Sequence, residues 1–210
     1  KRPAMLIFPG GGYGFCSDRE AEPIALRFLP WGFNVFNLTY SVEPHRFPSQ
    51  IREVAAAVEM IHRFSDLWNC DTEKIAIMGF SAGGHLAAYT SNFTADKDKP
   101  AFSILFYPVI TGTTWATHQN TFQYLLGKNR TKNEQEYYSL ENRVTTTTPP
   151  TILLLSDDDL TVPPISSILY YEALKANGVP ATMHIYPSGG HGWCGHDEFK
   201  YANEYKDALA

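Results

Sequence analysis

Short apolar runs alternate along this chain with segments whose apolar positions recur every three to four residues. The first run covers residues 4–8, Ala-Met-Leu-Ile-Phe, and is closed by Pro9, Gly10, Gly11 and Gly12. That pattern predicts a buried strand with a loop at its carboxyl end. A helix over 21–29 follows, broken at Pro30 and Gly32, and then a strand over 33–40 with Val35, Phe36 and Leu38. Past Pro44 and Pro48, Ile51, Val54, Ala55, Val58 and Ile61 form a stripe opposite Arg52, Glu53 and Glu59. This is the clearest helical periodicity in the chain, and His62 beside it reads as a core or boundary histidine. Further strands are expected over 75–78, 101–109, 151–155 and 182–186. A helix over 165–176 should be stopped by Asn177 and Gly178.

Strands and helices in strict alternation are the signature of βαβ units, so the expected fold class is α/β with a mostly parallel sheet and helices on both faces. No internal repeat or second-domain boundary interrupts the pattern, and residues 1–210 read as one domain. Residues 111–148 are too long for a plain connector. Helical patterns near 122–126 and 134–142 make this segment a packed excursion between strands, suited to forming one wall of a pocket.

Composition narrows the picture only modestly. At 210 residues, with 44% hydrophobic and 19% charged side chains, the chain has enough apolar material for a substantial core. A net charge of −5 gives no basic footprint for nucleic acid or an anionic membrane. No apolar run is long enough to span a bilayer. Cys16, Cys70 and Cys194 are odd in number and lack metal-ligand spacing, so they read as ordinary thiols. A Cys16–Cys194 pairing stays open without support. The compartment also stays open, with the cytoplasm slightly favoured and secretion allowed if an upstream signal peptide is missing. Oligomeric state is unreadable, a homodimer being one option.

The chemistry concentrates where predicted strands end. The run 75–78 leads into Gly79-Phe80-Ser81-Ala82-Gly83, and an Ala-rich helical pattern follows. Strand, sharp turn with Ser at its apex, then helix is the context of a nucleophile elbow. Neighbours without side chains at Gly79 and Gly83 let strand and helix approach, while the N–H of Ala82 faces the same space as the Ser81 hydroxyl. The glycine loop after the first strand lets backbone N–H groups converge, which suits an oxyanion. It lacks the Lys-Ser/Thr of a phosphate loop and the spacing of a dinucleotide fingerprint, so no cofactor is expected. His191, between Gly190 and Gly192 and past the last strand, is the candidate base. The orienting acid lies in Asp157-Asp158-Asp159 after the fifth strand, and spacing does not decide between Asp157 and Asp159. The order Ser, Asp, His fits one of the known triad orders.

Taken together, these motifs carry a resemblance. Gly10-Gly11-Gly12-Tyr13, Leu38-Thr39-Tyr40-Ser41 with Pro44 to Pro48, the Ser81 pentapeptide, Asp159-Leu160-Thr161-Val162-Pro163 and Gly190-His191-Gly192 occur in one order. They resemble the α/β-hydrolase esterases of the hormone-sensitive-lipase-like group, closest to the acetyl xylan esterase and feruloyl esterase-like (carbohydrate esterase) branch. Tyr137, Tyr138, Ser139 and Val144, with Thr148-Pro149-Pro150, fit that branch too. The resemblance implies an α/β-hydrolase fold without a large cap domain, Ser81 as nucleophile, His191 as base and Asp159 as acid. It also implies oxyanion donors at Ala82 and at Gly11 or Gly12, with Tyr13 as a further alternative, and no metal or organic cofactor. The implied partner is a small-molecule or saccharide ester, above all an acetylated xylan or xylo-oligosaccharide.

Two departures stand out: Pro9 occupies the place where many relatives carry His, and the chain begins directly at the strand before the glycine loop. Either edge strands were lost or the chain is a fragment. Among aromatic residues, Tyr13 and Trp193 are expected to line the cleft, with Phe15 and Trp115 as further candidates. Within the same fold a peptidase, formamidase or lactonase is the rival; from another class, a non-catalytic binding protein.

Overall fold

The computed structural model describes residues 1–95 and 98–209. Six parallel strands form one sheet: β1 (Arg2–Phe8), β2 (Asn34–Asn37), β3 (Cys70–Phe80), β4 (Ser103–Phe106), β5 (Thr151–Ser156) and β6 (Ala181–Tyr186), in the order β2-β1-β3-β4-β5-β6. The helices are α1 (Glu22–Phe28), α2 (Ser49–Arg63), α3 (Ala82–Phe93), α4 (Gln119–Leu126), α5 (Lys132–Tyr137), α6 (Ile165–Ala176) and α7 (Ala202–Leu209).

Alternate residues of the strands feed two cores. Met5, Ile7, Met78, Phe80, Phe106 and Leu154 pack with α1 and α7 on one face. Leu6, Phe8, Ile77, Leu105 and Leu153 pack with α2, α3 and α6 on the other. Burial on both faces explains why the central strands read as continuous apolar runs rather than alternating ones.

The expected strands are present with shifted bounds. The largest difference is β3, which starts five residues earlier, at Cys70. Its polar first half pairs Cys70 and Asp71 with Arg2 and Pro3, and an irregularity resets the register so that Ala4 faces Ile75. A partly exposed, charged stretch of this kind carries no apolar signal. The expected strand over 33–40 shortens to Asn34–Asn37 at the sheet edge. Helix α7 lies outside the sequence-based expectations, yet its Ala202 and Tyr205 are buried in the core. Among the described residues, no helix is long and apolar enough to cross a membrane.

Chain order runs outward from β1 to β2, then returns to β3 on the other side of β1. The carboxyl ends of β1 and β3 therefore flank the point where the winding reverses, the crevice that open α/β sheets use for ligands.

Candidate active site

Ser81 sits at the end of β3 with φ 52° and ψ −116°, a strained conformation for a residue with a side chain. Its backbone is tied on both sides: its N–H donates to Phe106 O at 3.0 Å, and its carbonyl accepts from Val109 and His85 N–H at 3.0 and 3.1 Å. The flanking glycines are sterically required. A Cβ on Gly79 would lie 2.3 Å from Gly83 O, and one on Gly83 would lie 2.1 Å from Phe8 O. The helix that starts at Ala82 can therefore press directly on β1 and β3. Three of the four non-glycine residues with positive φ among those described, Tyr13, Ser81 and Tyr107, belong to turns around this point. Such clustering of strain is characteristic of functional sites.

The loops after β5 and β6 bring two more side chains to Ser81. His191 Nε2 is 2.8 Å from Ser81 Oγ, and His191 Nδ1 is 2.6 Å from Asp159 Oδ2. Asp159 is only 2% exposed, and its other oxygen accepts the N–H groups of Thr161 and Val162, each at 2.9 Å. One carboxylate oxygen is thus held by the loop and the other is left for the imidazole. Asp157 and Asp158 are exposed. Asp158 still contributes, because its Oδ1 accepts Gly190 N–H at 2.7 Å and fastens the loop that carries His191. The chain Ser81–His191–Asp159 has the atom order of a nucleophile, a base and an orienting acid.

The glycine loop lies across from this chain. Gly10 N–H donates to Glu20 Oε2 at 2.8 Å, while Gly11 O accepts from Gly14 and Phe15 N–H, curling the loop on itself. Ala82 begins α3, so its N–H is among those that a helix leaves without an internal partner. Tyr40 O–H donates to Pro9 O, which braces the loop where Pro9 has no side-chain donor.

Tyr13 does not line the cleft as expected, and Trp193 borders a hollow shared with His191 but is itself almost wholly covered. Tyr13 is fully buried, and its hydroxyl lies 3.0 Å from Nδ1 of the buried His85. His85 is pushed down to about 4 by burial, with the Tyr138 carbonyl on its Nε2 opposing the shift. It therefore stays neutral and accepts from Tyr13 while donating to Tyr138. Trp193 is 3% exposed and stacks on Phe199 at 4.0 Å, beneath the loop rather than on it. The reason is α7 and the segment before it, which cover the indole. Phe15 and Trp115 are instead exposed, at 62% and 83%.

Two site residues escaped the sequence. Glu20 has no local motif. His118, from the excursion, has its Cε1 3.8 Å from where a Cβ on Gly12 would stand, and its Nδ1 is 2.7 Å from Thr121 Oγ1. Burial lowers its pKa, the nearby His191 adds to that, and Asp159 opposes it. His118 thus brings the excursion beside the glycine loop. Cys16, Cys70 and Cys194 are all free, so the Cys16–Cys194 pairing left open by the sequence does not form. Burial drives the Cys194 thiol upward, which keeps it protonated and unreactive. Among the described residues, no three His, Cys, Asp or Glu side chains converge as metal ligands.

Comparison with known proteins agrees with this fold. Residues 5–195 match a family described as alpha/beta hydrolase fold. The chain is 37% identical, over 95% of its length, to endo-1,4-beta-xylanase B of Butyrivibrio fibrisolvens, and covers 34% of that protein. It is 33% identical, over 96% of its length, to an acetylxylan esterase of Xylanibacter ruminicola, and covers 43% of it. It thus spans less than half the length of these curated relatives. Among solved structures, an acetyl ester-xyloside bifunctional hydrolase from Caldicellulosiruptor lactoaceticus superposes with a TM-score of 0.93 at 33% identity, covering all of this chain and 81% of that one. Sheet order, elbow and relatives together lead to one statement: this chain belongs to the α/β-hydrolase fold family.

Proposed function

We propose that the chain is a serine esterase that removes acetyl groups from xylan or xylo-oligosaccharides through an acyl-enzyme on Ser81. The observation that carries the reading is the hydrogen-bonded chain from Ser81 through His191 to the buried Asp159. The names of the relatives support the choice of an acetylated xylan-type substrate over other esters.

In this mechanism His191 Nε2 takes the Ser81 proton as Oγ attacks the acetyl carbonyl. The carbonyl π electrons move to oxygen, where the N–H groups of Ala82 and of Gly11 or Gly12 stabilise the oxyanion. The tetrahedral intermediate collapses as His191 gives its proton to the departing sugar hydroxyl, leaving acetyl-Ser81. Water then attacks that ester, transferring its proton to His191. Collapse breaks the bond to Oγ and releases acetic acid, which ionises in the solvent, while the His191 proton returns to Ser81. Asp159 keeps Nδ1 protonated throughout and stabilises the transient imidazolium.

The test is an activity panel of aryl acetate, acetylated xylan and methyl ferulate, run on the wild type and on Ser81→Ala. The wild type should act on both acetates in preference to the ferulate, and the variant should lose activity by about 10³-fold or more while keeping its fold. Full activity in folded Ser81→Ala would sink the nucleophile, and a preference for ferulate would sink the acetyl assignment.

A further inference from the structure

Glu20 is a buried carboxylate for which the proposed mechanism has no use. It closes a short 3₁₀ turn, Asp18–Glu20, and is 4% exposed. Oε2 accepts Gly10 N–H at 2.8 Å, and Oε1 accepts Tyr107 O–H at 2.7 Å. The phenol oxygen of Tyr107 in turn accepts Cys194 N–H at 3.3 Å, and its ring packs edge-on against the His191 ring, with centroids 4.8 Å apart. Tyr107 itself, just past β4, has φ 36°. One carboxylate therefore joins the glycine loop after β1, the turn after β4 and the loop that carries His191.

Stability alone does not explain this arrangement. No Lys, Arg or His pairs with Glu20 among the described residues, and a buried carboxylate held only by neutral donors gains little over an apolar side chain. Both of its partners donate, so both oxygens must accept. Burial and the adjacent Glu20 push Tyr107 far upward, which keeps the phenol protonated as the donor this geometry needs. A glutamine in the same place could satisfy one partner only, since its amide nitrogen cannot accept.

We propose that Glu20 is a positioning residue. By fixing Gly10 and Tyr107 at once, it sets the spacing between the oxyanion donors of the next residues, Gly11 and Gly12, and the base His191. The proposal rests on the esterase reading of Ser81 and the glycine loop. Committing the Gly10 N–H to Glu20 leaves Gly11 and Gly12 as the donors of that loop. It also aims the loop at a point fixed relative to the turn that touches the imidazole. Because the effect lies in the placement of transition-state donors, it should appear in turnover rather than in ground-state binding.

The experiment compares wild type, Glu20→Gln and Tyr107→Phe on an aryl acetate. It reads kcat and KM per active site (counted by fluorophosphonate labelling), affinity for an aryl trifluoromethyl ketone, and thermal midpoint. In the ketone adduct the alkoxide occupies the oxyanion position. In Glu20→Gln, kcat and ketone affinity should fall together by about tenfold or more, short of the 100- to 1,000-fold loss typical of deleting a donor. KM should stay within about threefold. Tyr107→Phe should shift the same two quantities in the same direction.

Unchanged kcat and ketone affinity per labelled site in folded Glu20→Gln would overturn the proposal. So would a loss confined to the number of labelled sites, because that marks a purely structural role. Should Glu20→Gln not fold, Tyr107→Phe decides by the same criteria. A wild type that fluorophosphonate does not label removes the Ser81 reading, and this proposal falls with it. That failure is distinct from a labelled wild type whose variants are unimpaired.

Discussion

Asp159 differs from Asp157 and Asp158 in being buried and in where its carboxylate points, and that direction comes from two backbone N–H groups. Thr161 and Val162 both donate to Oδ1, so Oδ2 alone meets His191. In Asp159→Asn the amide oxygen would keep the two N–H groups, and the NH₂ would face Nδ1. The imidazole would then be held in the tautomer that has its proton on Nε2 and cannot accept from Ser81. Turnover should drop by about 10³- to 10⁴-fold, while Asp157→Asn should leave kcat nearly unchanged; steady-state kinetics on an aryl acetate checks both. At Gly83 the limit is packing. An added Cβ would sit 2.1 Å from Phe8 O and 2.4 Å from Pro9 O, both backbone atoms. Gly83→Ala should cost about 3 kcal/mol or more, read from urea unfolding. The elbow was legible in sequence because its steric demand is local: glycines two residues either side of Ser81 announce themselves. From spacing the acid was legible only as Asp157 or Asp159, because that choice requires the path of the following turn; the resemblance alone pointed to Asp159. Glu20 and His118 carried no signal, because what ties each to the site, Tyr107 for Glu20 and Gly12 for His118, lies on a segment remote in sequence.

At the level of elements, α3 does more than follow the nucleophile. Its His85 is fully buried between Tyr13 of the glycine loop and the Tyr138 carbonyl, tying the helix to the loop in front and the excursion behind. Its folded pKa of about 4 lies below the ordinary histidine value of 6.5. Between those values the unfolded chain binds a proton that the folded chain does not. Stability from this site is therefore complete above about pH 6.5, falls as the pH drops towards 4, and declines no further below that. The full loss would be about 3 kcal/mol. Urea unfolding at pH 7 and pH 4.5 should show the decline, and His85→Gln should show a shallower one. Strands such as β1 and β5, and helices α2 and α6, were legible because dense apolar runs or a one-sided stripe dictate them. Helix α7 was not, and the misplacement of Trp193 follows from it: without a cover for the indole, a tryptophan beside His191 looks like a cleft residue. The polar start of β3 was hidden for the converse reason, being anchored by the buried Cys70 and by pairing with β1, with no apolar run to announce it.

Across the whole molecule, the site is assembled from both halves of the sheet. The proposed nucleophile and oxyanion donors stand at the ends of β1 and β3, at the reversal of winding, while the proposed acid and base hang from β5 and β6. Alternation of strands and helices made this architecture legible without revealing how the halves are tied together. The thiols play no part in that tie. Cys16, Cys70 and Cys194 are free, so a reductant such as dithiothreitol should leave the thermal midpoint unchanged, as differential scanning fluorimetry would show. The placement of His191 has a further consequence. Strand β6 is the sheet's last strand, paired on one side only and no more than partly buried until Tyr186. Terminal strands of this kind open locally at lower free energy than the interior does. The proposed base is thus mounted beside an edge of the sheet, whereas Ser81 is anchored in its middle. In a denaturant titration, hydrolysis should be lost at lower concentrations than the far-UV circular dichroism of the helices, and adding a transition-state ketone should draw the two curves together. Catalytic competence would then report the closure of a single edge, well before the fold itself gives way.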